Sequence, residues 1–236
     1  KVYLEKDVLT AAKERLAWIF AHFEAVYLAA SGGKDSSVMV QLADLVARPL
    51  GRRFDVLYID MEAQYAHTIA HIQELKTLPS IDRFYHVALP LALRNAVSTL
   101  QPKWICWDED ERDLWVREMP EDAICAANCP WEWFHKGMEF EEFVKEFAIW
   151  YHQEKGVPIA CGIGIRADES LNRFSTIAFA QRKTELCGLH WTTRIADGVY
   201  NFYPIYDWRC EDIWGAVSQL NFKYNEIYEL MYKNGL

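Results

Sequence analysis

The apolar run Ala25-Val26-Tyr27-Leu28-Ala29-Ala30 breaks into Ser31-Gly32-Gly33-Lys34-Asp35-Ser36, and a helical stripe of Val38, Met39, Leu42, Leu45 and Val46 follows at once. A buried strand that turns on two glycines into a helix leaves free backbone N–H groups and the positive end of the helix dipole at one point. Such a point suits an anion. Gly32 and Gly33 permit close approach, Lys34 adds a cation, and Ser31, Ser36 and Ser37 add hydroxyl donors, so phosphate or sulfate is the expected occupant. An ordinary Ser/Asp helix cap would need neither the glycine pair nor the lysine.

The same rhythm runs through the chain. Val8, Leu9, Leu16, Ile19, Phe20 and Phe23 predict an opening helix over about Asp7 to Phe23. After Pro49 and Gly51, Phe54 to Ile59 reads as a strand, Tyr65 to Leu75 as a helix and Phe84 to Leu89 as a third strand. Further on come a helix from Phe140 to Glu154, a strand from Val157 to Ile163, a helix from Ser170 to Gln181, a strand from Val199 to Ile205 and a helix from Glu211 to Leu220. Alternation of this kind predicts one α/β domain over 1–236, an open, mainly parallel sheet with helices on both faces. Its one interruption is an insertion at 104–138 with weak periodicity, rich in acids and in Trp104, Trp107, Trp115, Trp131 and Trp133. No internal repeat or low-complexity linker is found.

Composition narrows the partners. At 236 residues, 51% apolar and 25% charged, the chain can bury a sizeable core. Its charge of 25 − 34 = −9 leaves no broad basic face for a nucleic-acid backbone. Six cysteines are too few for a disulfide framework at this length and no signal-peptide pattern is present, so a cytoplasmic location is expected. No run approaches the ~18 apolar residues of a membrane span. The sequence opens on Lys1 rather than Met and stops at Leu236 just past a helical pattern, so a further C-terminal part is expected.

Two familiar phosphate loops fail. The Walker A pattern wants Gly where Leu28 stands and Ser or Thr where Asp35 stands. Gly162-Ile163-Gly164-Ile165-Arg166-Ala167 matches the dinucleotide fingerprint in letters, but it does not follow the first strand, and Arg166, Asp168 and Glu169 crowd the turn.

Ser31 to Ser36 instead resembles the SGGxDS signature of the PP-loop superfamily, which covers ATP pyrophosphatases and phosphoadenosine phosphosulfate (PAPS) reductases. Gly164-Ile165-Arg166-Ala167-Asp168-Glu169-Ser170 resembles the GxRxxES segment of the PAPS reductase branch, and Pro204-Ile205-Tyr206-Asp207-Trp208 with Glu211-Asp212-Ile213-Trp214 resembles its P-x-x-D-W…D-V/I-W segment. Tyr58 to Tyr65 and the Trp-rich insertion are most similar to the immunoglobulin-binding regulator A group of PAPS reductase-like proteins of phages and bacteria. The resemblance implies an adenine nucleotide alpha hydrolase-like fold and an adenine nucleotide as ligand: ATP, with Mg²⁺, or PAPS. It implies Lys34 and Arg166 as catalytic charges and nucleotide contacts from Ser31, Gly32, Gly33, Lys34, Asp35, Ser36, Ser37, Asp60, Glu62, Arg166, Glu169 and Arg173.

Physical chemistry agrees with several of these roles. Arg166 follows a parallel strand at the carboxyl edge of the sheet, where ligands bind in open α/β folds, and its fork can grip phosphate. Glu169 can orient Arg166 or Arg173; a surface salt-bridge set is the plainer reading of the three. Asp60 and Glu62 end the second strand, from which an acid commonly reaches a ribose hydroxyl, or else they serve as helix N-terminal charge. Asp207 and Trp208 fit capping and core packing at least as well as ligand contact.

The resemblance breaks at the nucleophile. PAPS reductases attack with a thiolate from a C-terminal Glu-Cys-Gly-Leu/Ile-His segment, yet no Cys follows Cys210. Glu185-Leu186-Cys187-Gly188-Leu189-His190 imitates that segment with an extra Leu and lies before Asp207-Trp208. Three readings follow. The first is ATP cleavage between the α and β phosphates, with Lys34 and Arg166, and Arg182 or Lys183, stabilising growing charge. The second is a reductase whose Cys lies outside the chain. The third is a non-catalytic nucleotide sensor in a phage-related or defence assembly, docking a protein partner through the Trp-rich insertion. Cys125-x3-Cys129 with Cys106 and His135 could supply soft ligands for zinc or an iron–sulfur cluster, at an irregular spacing that equally suits buried structural thiols. His67 and His71 share a helical face, but Thr68 stands where a zinc-protease Glu is required.

Overall fold

A computed structural model describes residues 5–95, 99–178 and 186–235. Helix α1 (Val8–His22) starts on Asp7, whose carboxylate accepts the Thr10 N–H at 2.9 Å. The chain continues through β1 (Ala25–Ala30), α2 (Lys34–Ala47), β2 (Phe54–Ile59), α3 (Ala66–Leu75) and β3 (Ile81–Val87). A hairpin of β4 (Ala92–Arg94) and β5 (Lys103–Ile105) opens the inserted segment, and α4 (Phe140–Lys155) closes it. Then come β6 (Ile159–Ile163), α5 (Leu171–Ala178), β7 (Thr192–Ala196), β8 (Val199–Phe202), α6 (Cys210–Leu220) and α7 (Ile227–Lys233).

The main sheet has six strands in the order β3-β2-β1-β6-β8-β7, with every pair parallel except β7 against β8. From β1 the chain winds outward to β3, then returns to the other side of β1 as β6. The carboxyl ends of β1 and β6 therefore form the topological switch point, where open α/β sheets leave a crevice. One face of the sheet packs against α1, α2 and α6 through Leu16, Phe20, Leu28, Leu42 and Trp208; the other packs against α4 through Tyr27, Tyr85, Phe143 and Phe147. Helices on both faces and a mainly parallel sheet agree with the sequence reading.

Two expectations need correction. The last strand ends at Phe202, short of Ile205, and is entered through a turn at Gly198 (φ 69°) from an antiparallel edge strand, β7, that the sequence did not announce. Thr192-Thr193-Arg194-Ile195-Ala196 is too short and polar to carry a strand pattern by itself. The third strand starts at Ile81, because Asp82 and Arg83 are polar residues on an outermost strand and mask the apolar run. Of the helix expected from Ser170 to Gln181 the described part runs from Leu171 to Ala178, and Gln181 lies outside the described residues.

The Trp-rich segment joins the aromatic core. Its indoles turn inward: Trp107 is 1% exposed, Trp131 is 3%, and Trp104, Trp115 and Trp133 are half-buried. Trp131 meets Phe143 and Phe147 edge-on at 5.5 and 5.6 Å between ring centroids. The segment completes the second core of the domain, and the exposed Trp face expected to dock a partner is absent from the described residues.

Candidate functional site: a phosphate loop at the switch point

The loop between β1 and α2 is shaped by its own side chains. Gly32 sits at φ 75°, a left-handed conformation, and a Cβ there would lie 2.7 Å from the Thr68 methyl on α3, so only glycine fits twice over. Ser31 N–H donates to Ser36 Oγ at 3.1 Å, the two hydroxyls lie 3.0 Å apart, and Gly33 N–H reaches Ser31 Oγ at 3.3 Å. Ser37, fully buried, pairs with His71 Nε2 of α3 at 2.8 Å. Burial lowers the His71 pKa against the opposing pull of Glu74, so the imidazole is held neutral.

The β6–α5 loop closes on this turn from the other side. A Cβ on Gly164 would come within 2.9 Å of Ser36 Cα, so the glycine is required for two backbones to touch. Close approach, rather than a dinucleotide turn, explains Gly162-x-Gly164. It brings Arg166, 4% exposed, to Asp35: Nε donates to Oδ1 at 2.6 Å. Asp35 Oδ2 accepts from Lys34 Nζ at 2.9 Å, so one carboxylate bridges both predicted cations. Burial works against the Lys34 charge, but the hydrogen bond and charge of Asp35 outweigh it and lift the ammonium above its ordinary value. Arg166 also binds Asp168, and its N–H donates to Glu169 at 3.0 Å.

A cavity of about 400 Å³ runs from the loop over the α4 face of the sheet. Ser31, Gly33, Asp35 and Ser36 border it at one end, with Glu169 and the exposed Arg173 beside them. Ala29, Leu57, Ile59 and Ile163 line its apolar length, and Phe140 and Val144 of α4 also border it. Tyr27 and Cys161, register partners across β1 and β6, also line it. Burial pushes the Cys161 thiol up to about 12 and keeps it protonated.

Asp60 and Glu62 are not among the residues that line this cavity; Met61 between them is. Both carboxylates are buried and spent on the inserted segment. Asp60 takes Arg117, His86 Nε2 at 3.1 Å and the Glu62 N–H at 3.0 Å. Glu62 accepts Trp107 N–H at 2.7 Å and Val116 N–H at 3.2 Å. These bonds make the pair a structural post at the end of β2. The soft ligands do not converge either. Cys106 is fully buried against the Leu89 and Leu91 carbonyls, Cys129 faces the Trp131 carbonyl, and among the described residues no three His, Cys, Asp or Glu side chains are arranged to hold a metal ion. That set included Cys125 and His135. Cys187 is exposed on a left-handed turn before β7 and is not a lining residue of the cavity. Arg182 and Lys183 lie outside the described residues.

Sequence reasoning missed the C-terminal contribution. Tyr228 of α7 accepts the Lys34 N–H on its Oη at 3.0 Å, and the buried Asn225 donates to Gly32 O at 3.1 Å and Thr68 Oγ1 at 2.8 Å. A lone Asn and Tyr near a chain end carry no local signal of such a role.

Fold and loop together define a doubly wound α/β protein of the PP-loop type. The family model of the phosphoadenosine phosphosulfate reductase domain matches residues 25–99 and 116–234, and the chain belongs to that family. The unmatched stretch overlaps the start of the Trp-rich segment. The chain is 42% identical over 241 residues to the uncharacterized protein YbdN of Escherichia coli (strain K12), covering all of this chain and 58% of that protein. It therefore spans little more than half the length of that relative. Among solved structures, the phosphate complex of the PAPS reductase from Candida auris is similar in fold, with a TM-score of 0.51 at 14% identity, over 98% of this chain and 94% of the other. No helix among the described residues is long and apolar enough to cross a membrane.

Proposed function

We propose that the chain is an enzyme that binds ATP, with its base in the apolar cavity and its phosphates on the 31–37 loop, and transfers the adenylyl group to an acceptor oxygen. The acceptor oxygen attacks the α-phosphorus, the bond from that phosphorus to the bridging oxygen breaks, and pyrophosphate departs on the loop while the acceptor proton passes to solvent. The observation that carries this reading is the continuity between cavity and loop: Asp35 borders the cavity and binds Lys34 and Arg166, which stand behind it and are not themselves lining residues. A phosphate arriving there takes over from Asp35 as the counter-charge of two cations, and charge-assisted contacts of this kind favour a transition state in which negative charge grows on phosphate oxygens. The loop's own carboxylates make no open cage for Mg²⁺, since Asp35 is paired twice and Glu169 accepts from Arg166 N–H; Mg²⁺ would enter on the polyphosphate oxygens.

The family match keeps PAPS reduction as the second reading, but its attacking group must be a thiolate. Cys161, the thiol bordering the cavity, is held protonated by burial. A reductase would need a Cys from outside the described residues.

One experiment separates the readings. The purified chain is incubated with ATP and Mg²⁺ plus candidate acceptors, and separately with PAPS plus thioredoxin. AMP or adenylylated product with pyrophosphate, abolished in Lys34→Ala, is the expected result. Sulfite without pyrophosphate would replace the proposal with the reductase, and binding without either product would leave a nucleotide sensor.

A further inference from the structure

The phenol of Tyr228 accepts a backbone N–H of the phosphate loop. Lys34 N–H is the first amide of α2 and has no intrahelical acceptor, which makes it one of the groups a loop-bound anion takes. Its acceptor is a side-chain oxygen from 194 residues further along, Tyr228 Oη at 3.0 Å. The phenol lies against Gly33, where a Cβ would be 3.5 Å from Oη, and the Lys34 ammonium sits 5.9 Å from its ring centroid.

This seat is built rather than incidental. Asn225, 2% exposed, ties the segment to the loop by donating to Gly32 O and to Thr68 Oγ1, and its own Oδ1 caps Ile227 N–H at 3.1 Å. Trp214 of α6 meets the Tyr228 ring edge-on at 5.7 Å. Two independent contacts therefore fix where the hydroxyl points. A phenol carries one hydrogen besides its acceptor lone pairs. Accepting from Lys34 N–H leaves that hydrogen unspent, and no acceptor for it is found among the described residues.

We propose that Tyr228 is a phosphate-binding residue that donates its hydroxyl to the oxyanion held by the 31–37 loop. A phosphate oxygen, being charged, is the stronger acceptor for the Lys34 N–H and takes it over. The phenol then turns from acceptor to donor without leaving its seat, completing the loop from the C-terminal side. This deepens the reading of the site as a phosphate loop and rests on it. The ligand class is a pyrophosphate or nucleoside polyphosphate.

The test is calorimetric titration of the full chain and of Tyr228→Phe with inorganic pyrophosphate, ATP and adenosine. Loss of a hydrogen bond to a charged group weakens binding by about 10- to 100-fold. Pyrophosphate and ATP are expected to lose affinity on that scale, while adenosine, which has no phosphate, binds both proteins alike. Unchanged or tighter pyrophosphate binding by Tyr228→Phe overturns the inference, the latter by making the phenol a plug that phosphate must expel. An equal loss for adenosine overturns it too, by making the effect a general distortion of the cavity. Failure of the unsubstituted chain to bind pyrophosphate or ATP removes the proposed function itself, a result readable apart from the variant.

Discussion

The phosphate loop and the Trp-rich segment flank the same strands and are held by opposite means. Around the loop, backbone amides, two serine hydroxyls and a shared carboxylate satisfy one another in a short stretch of chain, with Arg166 joining from the β6–α5 loop. In the inserted segment, aromatic rings stack edge to face against α4, and the polar contacts that remain, to Asp60 and Glu62, fasten it to the end of β2. The first arrangement can trade its partners for those of a ligand at little cost in packing. The second cannot change a ring without opening a hole. Function should therefore be lost at the loop without unfolding, and stability at the insertion without a change in loop chemistry.

Trp131→Ala is expected to show the largest effect, a loss of about 3–5 kcal/mol in urea unfolding, as for other large core aromatics. The folded fraction should retain its pyrophosphate affinity; a comparable loss of affinity per folded molecule would erase the distinction between the two regions. Lys34→Ala should do the reverse, lowering pyrophosphate release by at least about tenfold through loss of a transition-state charge partner while the urea midpoint hardly moves. Gly164→Ala tests the boundary between them. Its methyl meets Ser36 Cα, so overpacking of about 1–3 kcal/mol is expected together with weaker nucleotide binding, because the Arg166 loop is pushed off the phosphate loop. A Gly164→Ala chain of unchanged stability would mean the two backbones separate freely.

The smallest effect concerns His71, faced by Ser37 and Glu74. Its folded pKa is lowered by burial below the ~6.5 of an unfolded histidine, so the unfolded chain binds the extra proton first. The stability this neutral imidazole confers is present above about pH 6.5 and drains away as pH falls toward the lowered folded value. His71→Asn should therefore cost more at pH ~7.5 than at pH ~5.5 in paired urea titrations. A penalty that grows on acidification would reverse the sign and show a charged histidine.

How much of this was legible follows the same division. The loop could be read because its chemistry is local: two glycines, a lysine and serines between a strand and a helix mean one thing wherever they stand. The place of Arg166 beside that loop could be read because its segment follows a parallel strand, β6. The orientation of Asp60 and Glu62 could not, since the end of a strand says where a carboxylate begins and not which neighbour claims it. Arg117 and the Trp107 amide, which claim them, come from a segment with no periodicity. The β4–β5 hairpin and β7 escaped for a related reason: three- and five-residue strands are decided by their partners across the sheet. Tyr228 depends on a contact spanning most of the chain.

The bridge between Ala92 and Glu139 anchors the start of α4, and the next turn of that helix carries Phe140 and Val144 over the cavity. Val144 packs against the core that holds Met138 and Trp131. The inserted segment thus behaves as a shim under a hinge plate: its thickness sets the headroom above Ala29 and Leu57, while the 31–37 turn keeps its own shape. A change of ring in the shim is therefore felt first in the headroom of the cavity, at a distance from the 31–37 turn.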